Sequence, residues 1–246
     1  GDLLDFLEQR GVADVTIIIF MTDNGGNAEN KAKGGVRFMH NLPLRNGKGS
    51  VYEGGIRVPL MVKWSGKVAP NTRVNTPVIC EDLFPTILGM AGVKNYDVVQ
   101  TVDGKSLVNL VTKGSKLAAK AAKRGEIADQ KAANAFVVPE EVSGIDPERA
   151  LIFHYPHQWK PYDLVDIDYL SAVRKGDWKL LYRMRTGALE LYNLKSDIGE
   201  QNNVAAEHPE KVKELAAAIS TKLREWNSPM PKLKADGKVI PLPDKL

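Results

Sequence analysis

Apolar side chains recur along this chain at two spacings, and each spacing predicts a different element. Leu3, Leu4 and Leu7 lie at helical intervals behind Asp2, a suitable cap, and Gly11 is placed to end that helix in a left-handed conformation. The run Val15, Ile17, Ile18, Ile19, Phe20 is apolar without alternation, which predicts a strand covered on both faces. A second short apolar segment, VPLMVKW, spans 58–64. The stretch EDLFPTILGMAG then reads as a helix with Asp82 as cap, Pro85 in the first turn and Gly92 as stop. Helix and strand in succession describe an α/β unit.

The pattern changes further on. Residues 113–135, KGSKLAAKAAKRGEIADQKAANA, are rich in Ala and Lys with few large apolar side chains, as in an exposed helix or insertion. Beyond the turn-like SGIDPE, the segments RALIFHY, LSAVRKGDWKLLYRM and ALELYNL read as short strands joined by turns at KGD and RTG. These predict an antiparallel sheet. From Pro209 onward Val212, Leu215, Ala216, Ile219, Leu223 and Trp226 fall on one face of a helix, which is expected to pack on that sheet. The Pro- and Lys-rich tail is expected to be loop or extended. The expected organisation is α/β over 1–112, an Ala/Lys-rich insertion or linker over 113–145, and an α+β subdomain over 146–246.

Composition narrows the function classes without choosing one. With 246 residues, 43% of them hydrophobic and 26% charged, the chain has room for a substantial core. The net charge of +4 is mild, and basic and acidic residues are mixed along most of the sequence. Nucleic acid is therefore not the expected partner, whereas an anionic small substrate suits the balance. No apolar run approaches the roughly 18 to 20 residues that span a bilayer. The single cysteine, Cys80, excludes an internal disulfide. The first residues carry neither a basic leader region nor a small-residue cleavage site.

The chemistry concentrates between Met21 and Pro59. Asp23 and Asn24 lie at the predicted carboxyl end of a buried strand, where open α/β sheets place ligands. A carboxylate beside an amide carbonyl offers two hard oxygens suited to Ca²⁺ or Mg²⁺, and Gly25 and Gly26 allow a sharp turn beneath an ion. The alternative is a plain turn. Lys48, between glycines in NGKGS, can project an ammonium toward an anion, or simply sit solvated in a turn. It is no Walker lysine: Leu42 stands where that loop needs its first Gly, and Gly49 where it needs Ser or Thr.

Taken in order, TDNGG, PLRNGKGSVYEGGIRVPLMVKW, DLFPTILGMAG, AVRKGDWKLLY, ELYNLKSDIGEQNNVA and the helix ending at Trp226 resemble the type I, formylglycine-dependent, arylsulfatase-like sulfatases of the alkaline phosphatase superfamily. The resemblance covers nearly the whole chain apart from the Ala/Lys-rich insertion and the tail. It implies part of an alkaline-phosphatase-like sandwich around a mostly parallel sheet, followed by the smaller α+β subdomain with its antiparallel sheet and C-terminal helix. It also implies that Asp23 and Asn24 coordinate a divalent cation, Ca²⁺ or else Mg²⁺, and that Lys48 is catalytic, contacting the sulfate and the ester oxygen. Glu53 and Arg57 match the family too and read as a structural ion pair or loop scaffold rather than catalysts. His157 and His154 in FHYPHQW are candidates to line the substrate pocket, His154 also fitting a strand and Trp159 a core. His40 either reaches substrate or faces solvent, and His208, before Pro209, reads as structural.

Sulfatases of this type attack sulfur with a formylglycine hydrate made from the first residue of a Cys/Ser-X-Pro-X-Arg motif, which this sequence lacks. Cys80 has Asp82 where Pro is required and Phe84 where Arg is required, and is expected to be a buried structural thiol. The family's N-terminal aspartate pair and its mid-domain Lys and His have no counterpart either. The expectation is the C-terminal portion of a sulfatase, inactive alone and exposing an edge and a face through which it self-associates. Implied partners are a sulfated small molecule or carbohydrate, in an extracytoplasmic setting. A two-metal phosphatase or phosphodiesterase is disfavoured because no His follows the aspartate. A non-catalytic binding or assembly fragment is the remaining alternative.

Overall fold

The computed structural model describes residues 1–27, 29–30, 36–37, 40–129, 132, 136–158 and 166–246. Trp159 and part of the Ala/Lys-rich segment lie outside them. In chain order the elements are α1 (Asp2–Gln9), β1 (Ile18–Met21), β2 (Glu29–Asn30), β3 (Val36–Arg37), α2 (Glu53–Ile56), β4 (Leu60–Lys63), α3 (Leu83–Met90), α4 (Ser115–Lys123), α5 (Glu140–Ser143), β5 (Leu151–Tyr155), β6 (Leu170–Lys175), β7 (Trp178–Arg183), β8 (Leu189–Asn193) and α6 (Pro209–Glu225). The chain divides into two compact units, one of Gly1–Met21 with Leu60–Arg149 and one of Thr22–Pro59 with Ala150–Leu246.

In the first unit β1 pairs antiparallel with β4, from Ile18 opposite Lys63 to Met21 opposite Leu60. Its core gathers Leu107, Leu110, Val138 and Ile145, flanked by Leu60, Val74, Val78 and Phe136. Asp82 is fully buried and does not cap α3 with its side chain. Its carboxylate instead accepts from the Ile79 amide at 3.0 Å, the Lys105 amide at 2.8 Å and Arg149 Nη1 at 2.9 Å. A carboxylate buried this deeply needs such partners to offset its lost hydration. Gly11 and Gly92 adopt the left-handed conformation expected of helix stops. The predicted double coverage of the first strand is not found: Phe20 is 49% exposed, and Val15, 84% exposed, sits in a short 3-10 turn ahead of the strand. Leu3, Phe6, Met61, Phe84 and Ile87 are exposed in the same unit.

The second unit is built on a four-stranded antiparallel sheet in the order β5-β6-β7-β8. Strand alternation sorts its side chains onto two faces, and both are covered. Val173, Leu180 and Leu191 face Leu215, Ala216, Ile219 and Leu223 of α6. Ala172, Leu181 and Tyr192 face Val51 and Tyr52 from the 22–59 segment. The segment that carries the candidate chemistry thus forms part of this unit's core. Gly176, in the KGD turn between β6 and β7, takes a left-handed φ of 57°. α6 starts with Pro209 at its first position and ends at Glu225, which leaves Trp226 beyond its last turn and 41% exposed.

Candidate functional site

The 22–59 segment holds its shape by backbone packed directly on backbone. The Gly25 amide donates to Gly55 O at 2.9 Å, the Gly54 amide to Arg45 O at 2.8 Å, and the Lys48 amide to Gly26 O at 3.0 Å. No side chain fits between these strands of loop. A Cβ at Gly25 would lie 1.7 Å from Gly54 O, and one at Gly54 would lie 2.3 Å from the carbonyl oxygens of Arg45 and Asn46. The glycines of DNGG and EGG therefore exist to let two turns touch.

Asn41 joins the same turns through its side chain. Its Oδ1 accepts from the Gly26 amide at 3.0 Å, and its Nδ2 donates to Gly26 O and to Asn46 O, each at 2.8 Å. Between these turns opens a cleft of about 500 Å³ lined by Asp23, Asn24, Asn41, Lys48, Arg57 and their neighbours. Asp23 and Asn24 line one cavity with Lys48, which lies more than twenty residues further along the sequence. Arg57 joins them there while its Nη1 donates to Glu53 at 3.2 Å, so the residue read as part of an ion pair also presents charge to the cleft.

Beneath the cleft lies a buried ionic cluster. Lys179 of β7 is fully buried, with Nζ 2.9 Å from Glu53 Oε1 and 2.8 Å from Glu200 Oε1. Glu200 in turn accepts the Glu53 backbone amide at 2.7 Å, fixing the start of α2. Burial alone would raise the Glu53 carboxyl, but Lys179, Arg174 and Arg57 outweigh it and hold it below the usual carboxylate range. Glu200, desolvated and facing Glu53, is pushed up despite Lys179. Arg45 ties the loop down from the other side. It donates to Asp166 at 2.7 Å, Tyr192 OH at 3.0 Å and Glu200 O at 2.9 Å, with its guanidinium 4.1 Å from the Tyr52 ring centre. Asn41, Arg45 and Lys179 escaped the sequence reading because each acts through a partner distant along the chain.

The histidines lie elsewhere. His40 is exposed, with its Cβ 3.6 Å from where a Gly26 Cβ would stand, and is not part of the cleft wall. His154 sits in β5 opposite Ser171, its Nδ1 2.7 Å from Ser171 Oγ and its Nε2 2.9 Å from Pro229 O. The carbonyl requires Nε2 to donate, so Nδ1 accepts from the serine; burial lowers the pKa and favours this neutral form. His157 is exposed and packs on Tyr155 with ring centres 4.1 Å apart, and His208 meets the Trp178 ring edge-on at 5.0 Å. Cys80 is exposed, which corrects the expectation of a buried thiol. It opens a surface turn, and partial desolvation together with the Glu81 carboxylate pushes its pKa up to about 11, far from a thiolate nucleophile.

Asp23 and Asn24 supply hard oxygen donors. Among the described residues no group of three or more His, Cys, Asp or Glu is arranged to hold a metal. The donor set thus fits a hard cation in chemistry and supplies part of the roughly six to eight oxygens that Ca²⁺ takes.

A sulfatase family model matches residues 1–93, the span that contains every residue of this cleft. A sulfatase of Formosa agariphila is 33% identical over 248 residues, covering 96% of this chain and 38% of that protein. The chain belongs to the sulfatase family. An N-acetylgalactosamine-6-O-sulfatase of Bacteroides thetaiotaomicron is 28% identical over 237 residues, covering 90% of this chain and 39% of that sulfatase. A structure solved in complex with its substrate D-glucosamine-2-N,6-O-disulfate superposes with a TM-score of 0.60 at 23% identity, over 96% of this chain and 38% of that one. The fold is accordingly that of the sulfatases, α/β with antiparallel sheets and a C-terminal helix, and the chain spans about two fifths of the length of these sulfatases.

Proposed function

We propose that the cleft of Asp23, Asn24, Lys48 and Arg57 is the cation- and sulfate-binding part of a sulfuric ester hydrolase whose nucleophile is supplied by sequence outside these 246 residues. The observation that supports the reading is that Asp23, Asn24, Lys48 and Arg57 line one cavity, in a segment whose turns are joined by backbone hydrogen bonds. Asp23 and Asn24 would hold a Ca²⁺ ion, which supplies positive charge against the sulfate oxygens. Lys48 would place its ammonium on the sulfate and the bridging oxygen, stabilising the negative charge that develops as the alkoxide leaves. Arg57, oriented by Glu53, adds a second cation at the rim. No described histidine lines the cleft, so nothing here favours the zinc sites of a two-metal phosphatase. His40, His154 and His157 remain proposed substrate contacts, with His154 the weakest because both its ring nitrogens are engaged.

The N-acetylgalactosamine-6-O-sulfatase among the relatives and the structure solved with a glucosamine disulfate support a sulfated carbohydrate as substrate, and the extracytoplasmic setting is carried as part of the proposal by the family resemblance alone; no described helix is long and apolar enough to cross a membrane. The test is a sulfatase assay on aryl and sugar sulfates, with and without Ca²⁺, of both the isolated chain and the full gene product. The isolated chain is expected to show no turnover. In the full product Lys48→Ala should lower kcat about 10²- to 10³-fold, the usual cost of losing one transition-state charge partner. Turnover by the isolated chain, free of host enzyme, or an unchanged kcat for Lys48→Ala, would overturn the assignment.

A further inference from the structure

The mixing of charge seen along most of the chain breaks down between Lys105 and Glu126, where five basic residues and no acid occur. Lys116, Lys120 and Lys123 lie along one side of α4, with Lys113 in the turn just before it and Arg124 at its carboxyl-terminal cap. Lys113, Lys116, Lys120, Lys123 and Arg124 are exposed, while Ser115, Ala118 and Ala121 on the opposite side of α4 are buried. The helix is fixed from beneath. The Ser115 hydroxyl accepts the Ala69 amide at 3.0 Å, and a side chain at Gly114 would run into Val138 of the core.

Among the described residues Lys113, Lys116, Lys120 and Lys123 pair with no carboxylate, and Arg124 meets only Glu126, at 3.7 Å. Neighbours three and four apart on a helix repel when alike in charge, and attraction to the helix carboxyl end accounts only for the last turn. An ordinary solvated helix relieves this with interleaved acids. This one does not, and the unrelieved row from Lys113 to Lys123 spans about 15 Å at 1.5 Å per residue.

We propose that this outer face of α4 binds a sulfated polysaccharide chain at a surface separate from the residues of the catalytic cleft. The choice of polymer rests on the sulfatase reading; the cationic row itself does not. Lysines act as flexible point charges, suited to sulfate groups spaced loosely along a polymer rather than to one bidentate anion. No aromatic residue occurs in 106–125 to stack nucleic-acid bases, and the exposed face carries no large apolar side chain to enter a membrane. Holding the polymer here would raise the local concentration of its sulfate esters.

The test is fluorescence titration of the purified chain with heparin and with chemically desulfated heparin over about 50 to 200 mM NaCl. The wild type is expected to bind only the sulfated polymer. The K116Q/K120Q/K123Q variant should bind about tenfold or more weakly, with a log–log salt slope shallower by about two to three. A control removing three scattered exposed lysines, K195Q/K213Q/K234Q, should change affinity less than about twofold. Unchanged binding by the first triple, equal loss in the control, or equally tight binding of desulfated heparin or of duplex DNA would overturn the proposal. The readout involves no turnover, so its failure leaves the sulfatase reading standing, and failure of the activity assay leaves this surface standing.

Discussion

Replacing Lys179 by Met should destabilise the second unit more than any surface change, because it strands the Glu200 carboxylate in a dry interior and takes one of three cations from Glu53. Lys179 Nζ stands 2.9 Å from Glu53 and 2.8 Å from Glu200, and all three residues are buried. After the substitution Glu53 keeps Arg57 at 3.2 Å and Arg174 at 3.9 Å, whereas Glu200 loses its ion-pair partner. Breaking a buried ion pair from one side costs about 3 to 5 kcal/mol. The sign of the pH dependence follows from the carboxylates. Both rise in pKa without Lys179, and a group whose folded pKa is raised is stabilising when protonated and costly once ionised. The loss should therefore be largest at neutral pH and shrink as pH falls toward the carboxylate range. Urea unfolding followed by circular dichroism at pH 7.5 and at pH 5 measures this, and hydrogen exchange at the Gly25 and Gly54 amides reports whether the cleft loosens with it. A loss below about 1 kcal/mol at pH 7.5, or one independent of pH, would refute the argument that the cluster is held by charge compensation.

Three further outcomes are expected. Asn41→Ala removes three hydrogen bonds that join the Gly26 and Asn46 turns, at the low end of about 0.5 to 1.5 kcal/mol each because the site is partly exposed. The Gly26 and Lys48 amides should then exchange faster by tenfold or so, and unchanged protection would show that the backbone bonds alone suffice. His154 has a folded pKa below its ordinary value, so its stabilisation is present above about pH 6.5 and is lost as pH falls through the lowered pKa. His154→Gln should flatten that acid limb in a stability-against-pH profile, and an unaltered limb would assign it to other groups. The exposed Leu3, Phe6, Phe20, Met61 and Ile87 predict self-association of the isolated chain, measured by sizing with light scattering, and a monodisperse monomer would contradict it.

What the sequence made legible was decided by local rules. β6, β7, β8 and α6 lie within about sixty residues of one another, and each pairs with or packs on its neighbour, so alternation and helical spacing carried nearly the full answer. The first strand misled for a physical reason. An unbroken apolar run predicts cover on both faces, but cover is a property of what packs against the strand, and among the described residues Phe20 stays 49% exposed. Asp82 misled differently: the residue before a helix is normally its cap, yet Arg149 draws this carboxylate away, a competition no local pattern records.

The site divides along the same line. DNGG and NGKGS stood out as the candidate site because Asp23, Asn24 and Lys48 advertise their chemistry by residue type and by the glycines around them, and the structure puts the three on one cavity. The parts that aim them could not, because Asn41, Arg45 and Lys179 are common residues whose meaning comes only from contact. One signal was nonetheless present in the sheet. In WKLLYR, alternation puts Lys179 on the same face as Leu181, a face that Val51 and Tyr52 cover. A lysine at an interior register position must find a carboxylate or lose its charge, so its position alone implied an acidic partner from another segment. That partner, Glu53, opens the EGGIR turn whose next two residues, Gly54 and Gly55, receive the DNGG loop. The buried lysine, the glycines and the cleft are thus one construction, in which charge compensation below fixes backbone contact above, and that contact sets where Asp23, Asn24 and Lys48 point.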